Sequence, residues 1–331
     1  MPLHDIHYQH WTGESVGLWA RRWVIARNGL GACLQNKVLR TMVVSCWSLG
    51  LLLVGLLFFV SQLLVPDSIV SKWVEQFNPG LQVFARLLTI WLHDHPEISV
   101  RTTQDVLFFY GCTVLTPLAV FALGVAMPVL ITRDLASSAI VIYSSKAVTR
   151  GDYLLGKFCT AFGLLTIIWL GPLCGAWLIG NLLAPDWRFF WHSRAALANV
   201  LIYGLTSMAF LSALALGVSA LSSKEKATPA LWLMWWVLGM VIEPIAAKTK
   251  PWLQHLSFSY DLKELRLAVF RLGHDVTIAQ DNIPILGDML KKIPQQTMDE
   301  LSNPAIWGSV AAMILMLVAA ALVIQKRVRP E

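Results

Sequence analysis

Six long apolar segments constrain this 331-residue chain more than any motif does. They are Met42–Leu64, Val106–Ile131, Cys159–Leu183, Ala196–Leu221, Thr228–Ala246 and Ala305–Ile324; five carry no charged residue, and the fifth in chain order carries only Glu243. Each is long enough to cross a hydrocarbon core of about 30 Å as a helix rising about 1.5 Å per residue. Lipid offers the backbone no hydrogen-bond partners, so a run this apolar must satisfy its amides within itself, and a helix does that. Hydrophobic residues make up 56% of the chain and charged residues only 14%, against about 25% in soluble domains. The expected fold class is all-α: a polytopic membrane protein with six transmembrane helices, an N-terminal amphipathic interfacial helix and a long external loop between the fifth and sixth spans.

The distribution of Lys and Arg sets the expected orientation. With both termini in the cytoplasm, the inside segments are residues 1–41, 132–158, 222–227 and 325–331. They hold fourteen cations against six acids, while the outside loops hold twelve against thirteen. The positive-inside rule favours that arrangement. It divides the chain into a cytoplasmic N-terminus with its interfacial helix (1–41), a six-span domain (42–324) and a cytoplasmic tail (325–331). Within the six-span domain lie a cytoplasmic loop (132–158) and an external loop (247–304). The formal charge of +6 is therefore a topology signal and no argument for nucleic acid. Residues 1–41 lack the short apolar core and small-residue cleavage site of a secretory signal, so the first span is expected to serve as an uncleaved anchor.

Before the first span, Trp19, Arg21, Arg22, Trp23 and Arg27 interleave aromatic and cationic side chains, the pattern of a helix lying in the membrane surface with its cations among lipid headgroups. Gly29 and Gly31 offer a bend before the chain turns into the bilayer. Trp47, Trp169, Trp177, Trp187, Trp191, Trp232 and Trp307 lie in or near spans, as an interfacial aromatic belt requires. The five cysteines avoid the outside loops, so no disulfide framework is expected.

In the external loop, Asp261 and Glu264 read as an N-terminal capping pair, with Leu262, Leu265, Val269 and Leu272 on one helical face. An amphipathic helix resting on the outer leaflet or on the spans follows. A second apolar stretch, Ile283–Ile293, is bounded by Pro284 and Pro294. Glu243, beside Pro244, is costly in an apolar run unless paired or solvated. It either snorkels from the outer end of a short fifth span, lines a translocation path, or holds the external loop where it returns.

Catalytic signals are weak. Gly151, Gly156 and Lys157 match the phosphate-loop spacing, but Phe158 stands where Ser or Thr must hold magnesium, and no strand pattern precedes it. No catalytic residue and no metal site is assigned. His4, His7 and His10, and His93 with His95, lack the helical pair with Glu or the Cys partner of a strong metal signature.

The loop ITRDLASSAIVIYSSKAVTRGDYLLGKF has a charged pair at the membrane exit, an apolar stretch and a basic turn, and Thr149 with Asp152 is placed to cap the following helix. It resembles the cytoplasmic loop of type-2 ABC export permeases. The positions that carry the resemblance are Asp134, Ser144, Ser145, Arg150, Tyr153, Leu154, Gly156 and Lys157, with Ala147-Val148 where that family has Pro. The surface helix with ARNGL, Asn36-Lys37, the six-span order and the long last external loop extend the likeness over most of the chain.

The resemblance implies a permease subunit, not itself an enzyme, that pairs with a second permease subunit of the same or a sister chain in the plasma membrane, the inner membrane of a bacterium. It is driven by a separate cytoplasmic ATPase subunit, which binds the ATP and Mg; the chain itself holds no cofactor. Coupling to that ATPase falls on Arg133, Asp134, Lys146, Arg150, Asp152, Tyr153, Gly156 and Lys157 and on the surface helix, with Glu243 a candidate for the translocation path. Two other classes stay open: a membrane-embedded metal-binding enzyme or maturation factor using the histidines, and an ion-coupled transporter. The latter calls for several intramembrane acids, where the spans offer only Glu243.

Overall fold

A computed structural model describes residues 17–63, 96–137, 149–274 and 295–328, with positions 83, 89–90, 94 and 277 between them. All regular structure among these residues is helical. Helix α1 covers Leu18–Gln35 and α2 covers Lys37–Leu63. Helix α3 is Pro96–Met127, continued by a wide π turn at Pro128–Thr132 and the short α4, Arg133–Ala136. Helix α5 is Arg150–Leu165, followed by a second π turn at Thr166–Leu170 and by α6, Gly171–Leu182. The remaining helices are α7 (Trp187–Ser219), α8 (Ala227–Thr249), α9 (Phe258–Phe270), α10 (Gln295–Ser302) and α11 (Ile306–Arg327).

Among the described residues six helical stretches are long and apolar enough to cross a membrane, and each contains nearly all of one apolar run read from the sequence. The chain is thus a multi-pass membrane protein by length and composition. The helices outrun the apolar runs. Helix α3 starts at Pro96, ten residues before Val106, because its first turns are tied into the bundle: the buried Asp105 accepts a hydrogen bond from Asn199 Nδ2 of α7 at 2.9 Å. Pro at the first helical position costs nothing, since that amide has no partner in any helix.

Helices α3 and α7 form the centre, while α2, α8 and α11 lie outside and present exposed apolar side chains such as Leu51, Val241 and Leu315. Small residues let the backbones close up, as lipid-embedded packing requires. A Cβ on Gly217 of α7 would sit 2.5 Å from Ala320 of α11, and one on Gly180 of α6 would sit 2.7 Å from Leu57 of α2. The tryptophans divide accordingly. Trp187, Trp191 and Trp307 are exposed as a belt requires, but Trp169, Trp177 and Trp232 are buried core, with Trp177 Nε1 bonded to Ser193 Oγ (3.1 Å) and Trp232 Nε1 to the Val120 carbonyl (2.8 Å). These two acceptors offset the cost of burying the indole N–H groups of Trp177 and Trp232.

Helix α1 does not bend at Gly29 or Gly31. It runs unbroken to Gln35 and turns at Asn36, whose ψ of 124° is extended and whose Oδ1 accepts the Val38 amide at 2.9 Å to start α2. Gly29 serves proximity instead: a Cβ there would collide with the Thr160 hydroxyl of α5. Ala26, Gly29 and Cys33 form the buried stripe of α1, while Leu18, Trp19, Trp23 and Val24 stay exposed.

The segment after α8 takes one of its two expected placements, on the spans, and enters deeply among them. The turn Pro251–Leu256 doubles back along α8, with Gln254 Nε2 donating to the Glu243 carbonyl (3.4 Å) and Trp235 Nε1 to the Leu256 carbonyl (3.1 Å). Ser257 packs on Gly239, about 15 Å below the Thr249 end of α8 at 1.5 Å per residue, roughly half the hydrocarbon thickness. Phe258 then stacks on Trp232, and α9 runs back the other way until Phe270 meets Phe109 and Tyr203. The helix is wedged among α3, α7, α8 and α11.

Asp261 and Glu264 do not cap α9. Ser257 does, accepting the Tyr260 amide. Asp261 is fully buried against His255 Nδ1 at 2.7 Å, and Glu264 accepts the Ala305 amide at 2.6 Å, tying α9 to the residue before α11. The stretch Ile283–Ile293 and its prolines lie outside the described residues.

Candidate functional site

The end of the bundle where α1 begins and α11 finishes gathers most of the residues singled out in the sequence. Helix α5 starts there with a complete capping box: Thr149 Oγ1 accepts the Asp152 amide (3.2 Å), and Asp152 Oδ2 accepts from the Thr149 amide (3.3 Å) and hydroxyl (2.6 Å). The other Asp152 oxygen takes Arg22 Nε of α1 at 2.6 Å. One turn on, Gly156 presses against α1, where a Cβ would lie 2.7 Å from Ile25 Cγ2 and 3.3 Å from the Arg22 carbonyl. A two-point clamp, one ionic and one steric, thus holds α1 along α5.

A second knot joins α5 to the end of α3. Asp134 Oδ2 accepts both the Tyr153 hydroxyl (2.6 Å) and Lys157 Nζ (2.7 Å), and Lys157 also donates to the Val129 carbonyl at 2.9 Å. Val129 belongs to the π turn, where the wide spacing offers carbonyls to side chains. The pair is largely buried, with side-chain exposures of 10% for Lys157 and 15% for Asp134. Behind it, Ser219 accepts the Ile131 and Thr132 amides and donates to the Met127 carbonyl, while the Thr132 hydroxyl meets both Ser219 and Thr228. The ends of α3, α7 and α8 are locked together through three hydroxyls.

The residues assigned to coupling therefore fall into two groups. Asp134, Asp152, Tyr153, Gly156 and Lys157 are spent on contacts within the chain. Arg150 sends Nη2 to the Ile324 carbonyl in the last turn of α11 (2.8 Å), and Arg133 is half exposed, 3.4 Å from Glu225. On α1, Trp19 and Trp23 are exposed, Arg22 lies 4.8 Å over the Trp19 ring, Arg27 is exposed and Arg21 is partly buried. Lys146, Ser144, Ser145, Ala147 and Val148 lie outside the described residues, as do His4, His7, His10, His93 and His95. The GDYLLGK segment, whose spacing mimics a phosphate loop, is helical from Arg150 onward, with its Lys on Asp134. Among the described residues no three His, Cys, Asp or Glu side chains group as a metal site, and the five cysteines are free.

At the opposite end Glu243 stands 3.6 Å from Lys263 of α9, and its own carbonyl takes Gln254. It borders the returning segment. Spacing carries no sign of the His255–Asp261 pair, whose members flank the turn into α9 and meet at 2.7 Å. The Glu243–Lys263 pair is partly exposed, and such pairs contribute about 0–1 kcal/mol. Glu243→Gln is accordingly expected to leave the midpoint of a thermal melt in detergent nearly unchanged. A large drop would assign Glu243 a tighter structural role.

Comparison with known proteins yields no matching family model and no match among curated proteins.

Proposed function

We propose that the chain is the permease subunit of a type-2 ABC exporter, working as a dimer with the same or a sister chain and driven by a separate cytoplasmic ATPase that docks on the basic end. The observation that carries the reading is the clamp of α1 to the start of α5. Arg22–Asp152 and Gly156–Ile25 make the surface helix and the start of the third span one mechanical unit, and Asp134–Lys157 extends it to the second span. A push at that face would move helices as bodies, which alternating access requires. The basic end faces the cytoplasm in this reading, in keeping with the charge partition.

The test is purification of the full chain in mild detergent with identification of what accompanies it. A stoichiometric ATP-hydrolysing subunit is expected. Its recovery should fall in Arg133→Glu, because that exposed side chain can be reversed without opening the bundle. Stoichiometric metal with no ATPase would overturn the reading in favour of the metal-binding class, whose candidate histidines lie outside the described residues.

An ion-coupled transporter gains one specific observation. The fold brings buried Asp105, Asp261 and Glu264 into the bundle near Glu243's end, so the intramembrane acids are more numerous than the spans alone suggested. Transport that persists without ATP and collapses with the proton gradient would favour it.

A further inference from the structure

At the end of the bundle opposite the α1–α5 clamp, three parts of the chain converge on a cavity of about 250 Å³. Helix α3 supplies Glu97 and Arg101 from its first turns, α7 supplies Trp191, His192 and Arg194, and His274 arrives from beyond α9. Two guanidinium and two imidazole groups thus line the cavity with the Glu97 carboxylate, and a second carboxylate, Asp105, stands behind Arg101, on the side of the molecule where the charge partition leaves cations in the minority.

The two arginines are held in place. Arg194 lies 4.3 Å over the Trp191 ring, and Arg101 is 3.7 Å from Asp105, which Asn199 orients in turn. A guanidinium fixed in this way loses little freedom on binding and presents a planar fork suited to phosphate oxygens. Trp187 and Trp191 are exposed beside it, marking the headgroup level of the membrane, and Ile98 in the cavity wall adds exposed apolar surface next to the cations.

We infer that this cavity binds a phosphate group, carried by the headgroup of an anionic phospholipid in the leaflet at that end. Basic pockets between membrane helices recognise lipids through such charges. The site stands apart from the proposed ATPase face and holds whether or not that reading does.

The experiment is native mass spectrometry of the intact chain in mild detergent, titrated with phosphatidylglycerol, with phosphatidylcholine and with inorganic phosphate. Retained phosphatidylglycerol is expected to bind about fivefold more weakly to Arg194→Gln, the fold-change of about 1 kcal/mol for one surface cation, and more weakly still to Arg194→Gln with His192→Gln. Arg188→Gln, an exposed cation on the same helix outside the cavity, should bind like the parent, and Arg194→Lys should recover part of the loss. Resistance of the bound lipid to millimolar phosphate assigns the group to a lipid. Saturable phosphate binding without lipid, lost in the same variants, would overturn the lipid source. Equal retention of phosphatidylglycerol by the parent and the folded double variant would overturn the site.

Discussion

Asp134→Ala is expected to destabilise the folded chain by about 3–5 kcal/mol, the cost of leaving one member of a largely buried ion pair without its partner. Asp134 is the one carboxylate that Lys157 and the Tyr153 hydroxyl share, and its loss strands an ammonium group at the junction of α3 and α5, with the Val129 carbonyl as its remaining acceptor. The measurement is the temperature at which the monodisperse peak of the detergent-solubilised protein is lost. Asp134→Leu with Lys157→Met should recover much of the deficit, because an apolar pair of similar volume removes the stranded charge. If Asp134→Ala melts with the parent, water reaches the pair and it does not brace α3 against α5.

Gly156→Val should release α1. The added side chain meets Ile25 Cβ at 2.8 Å as well as its Cγ2, atoms close to the α1 backbone that cannot swing away, and overpacking of this kind costs about 1–3 kcal/mol. Separation of α1 from α5 also breaks Arg22–Asp152, so trypsin should cut after Arg21, Arg22 or Arg27 faster than in the parent, while the spans stay intact. Ile25→Gly combined with Gly156→Ala removes the Cβ that the new methyl group would meet and should restore protection. Unchanged cleavage in Gly156→Val would mean that α1 is held elsewhere. Under the proposed function, the freed helix leaves ATP hydrolysis uncoupled from export.

Much of the basic end was legible beforehand for a local reason. A capping box needs residues three apart, so Thr149 and Asp152 could be paired by eye, and the structure forms that cap. Asp134 and Lys157 each stand out in the sequence, yet nothing in their spacing says that they meet. Their contact depends on the crossing of α3 and α5, and the same holds for Arg22 and Asp152, 130 positions apart. Gly29 illustrates the limit from the other side: glycine permits either a bend or a close approach, and the chain alone does not say which.

The sequence by itself determined that the chain is helical, with six stretches long and apolar enough to cross a membrane, because each is a local property: a long apolar run must close its own hydrogen bonds in lipid. Tertiary structure alone decided where the segment after the fifth span goes. Its alternation of Leu with Asp, Glu and Arg fits a surface helix in water. The fold admits it between the spans because each buried acid finds a partner there: Asp261 takes His255, and Glu264 takes the Ala305 amide just before α11. A carboxylate's tolerance for burial depends on the donor opposite, and that donor lies on another helix.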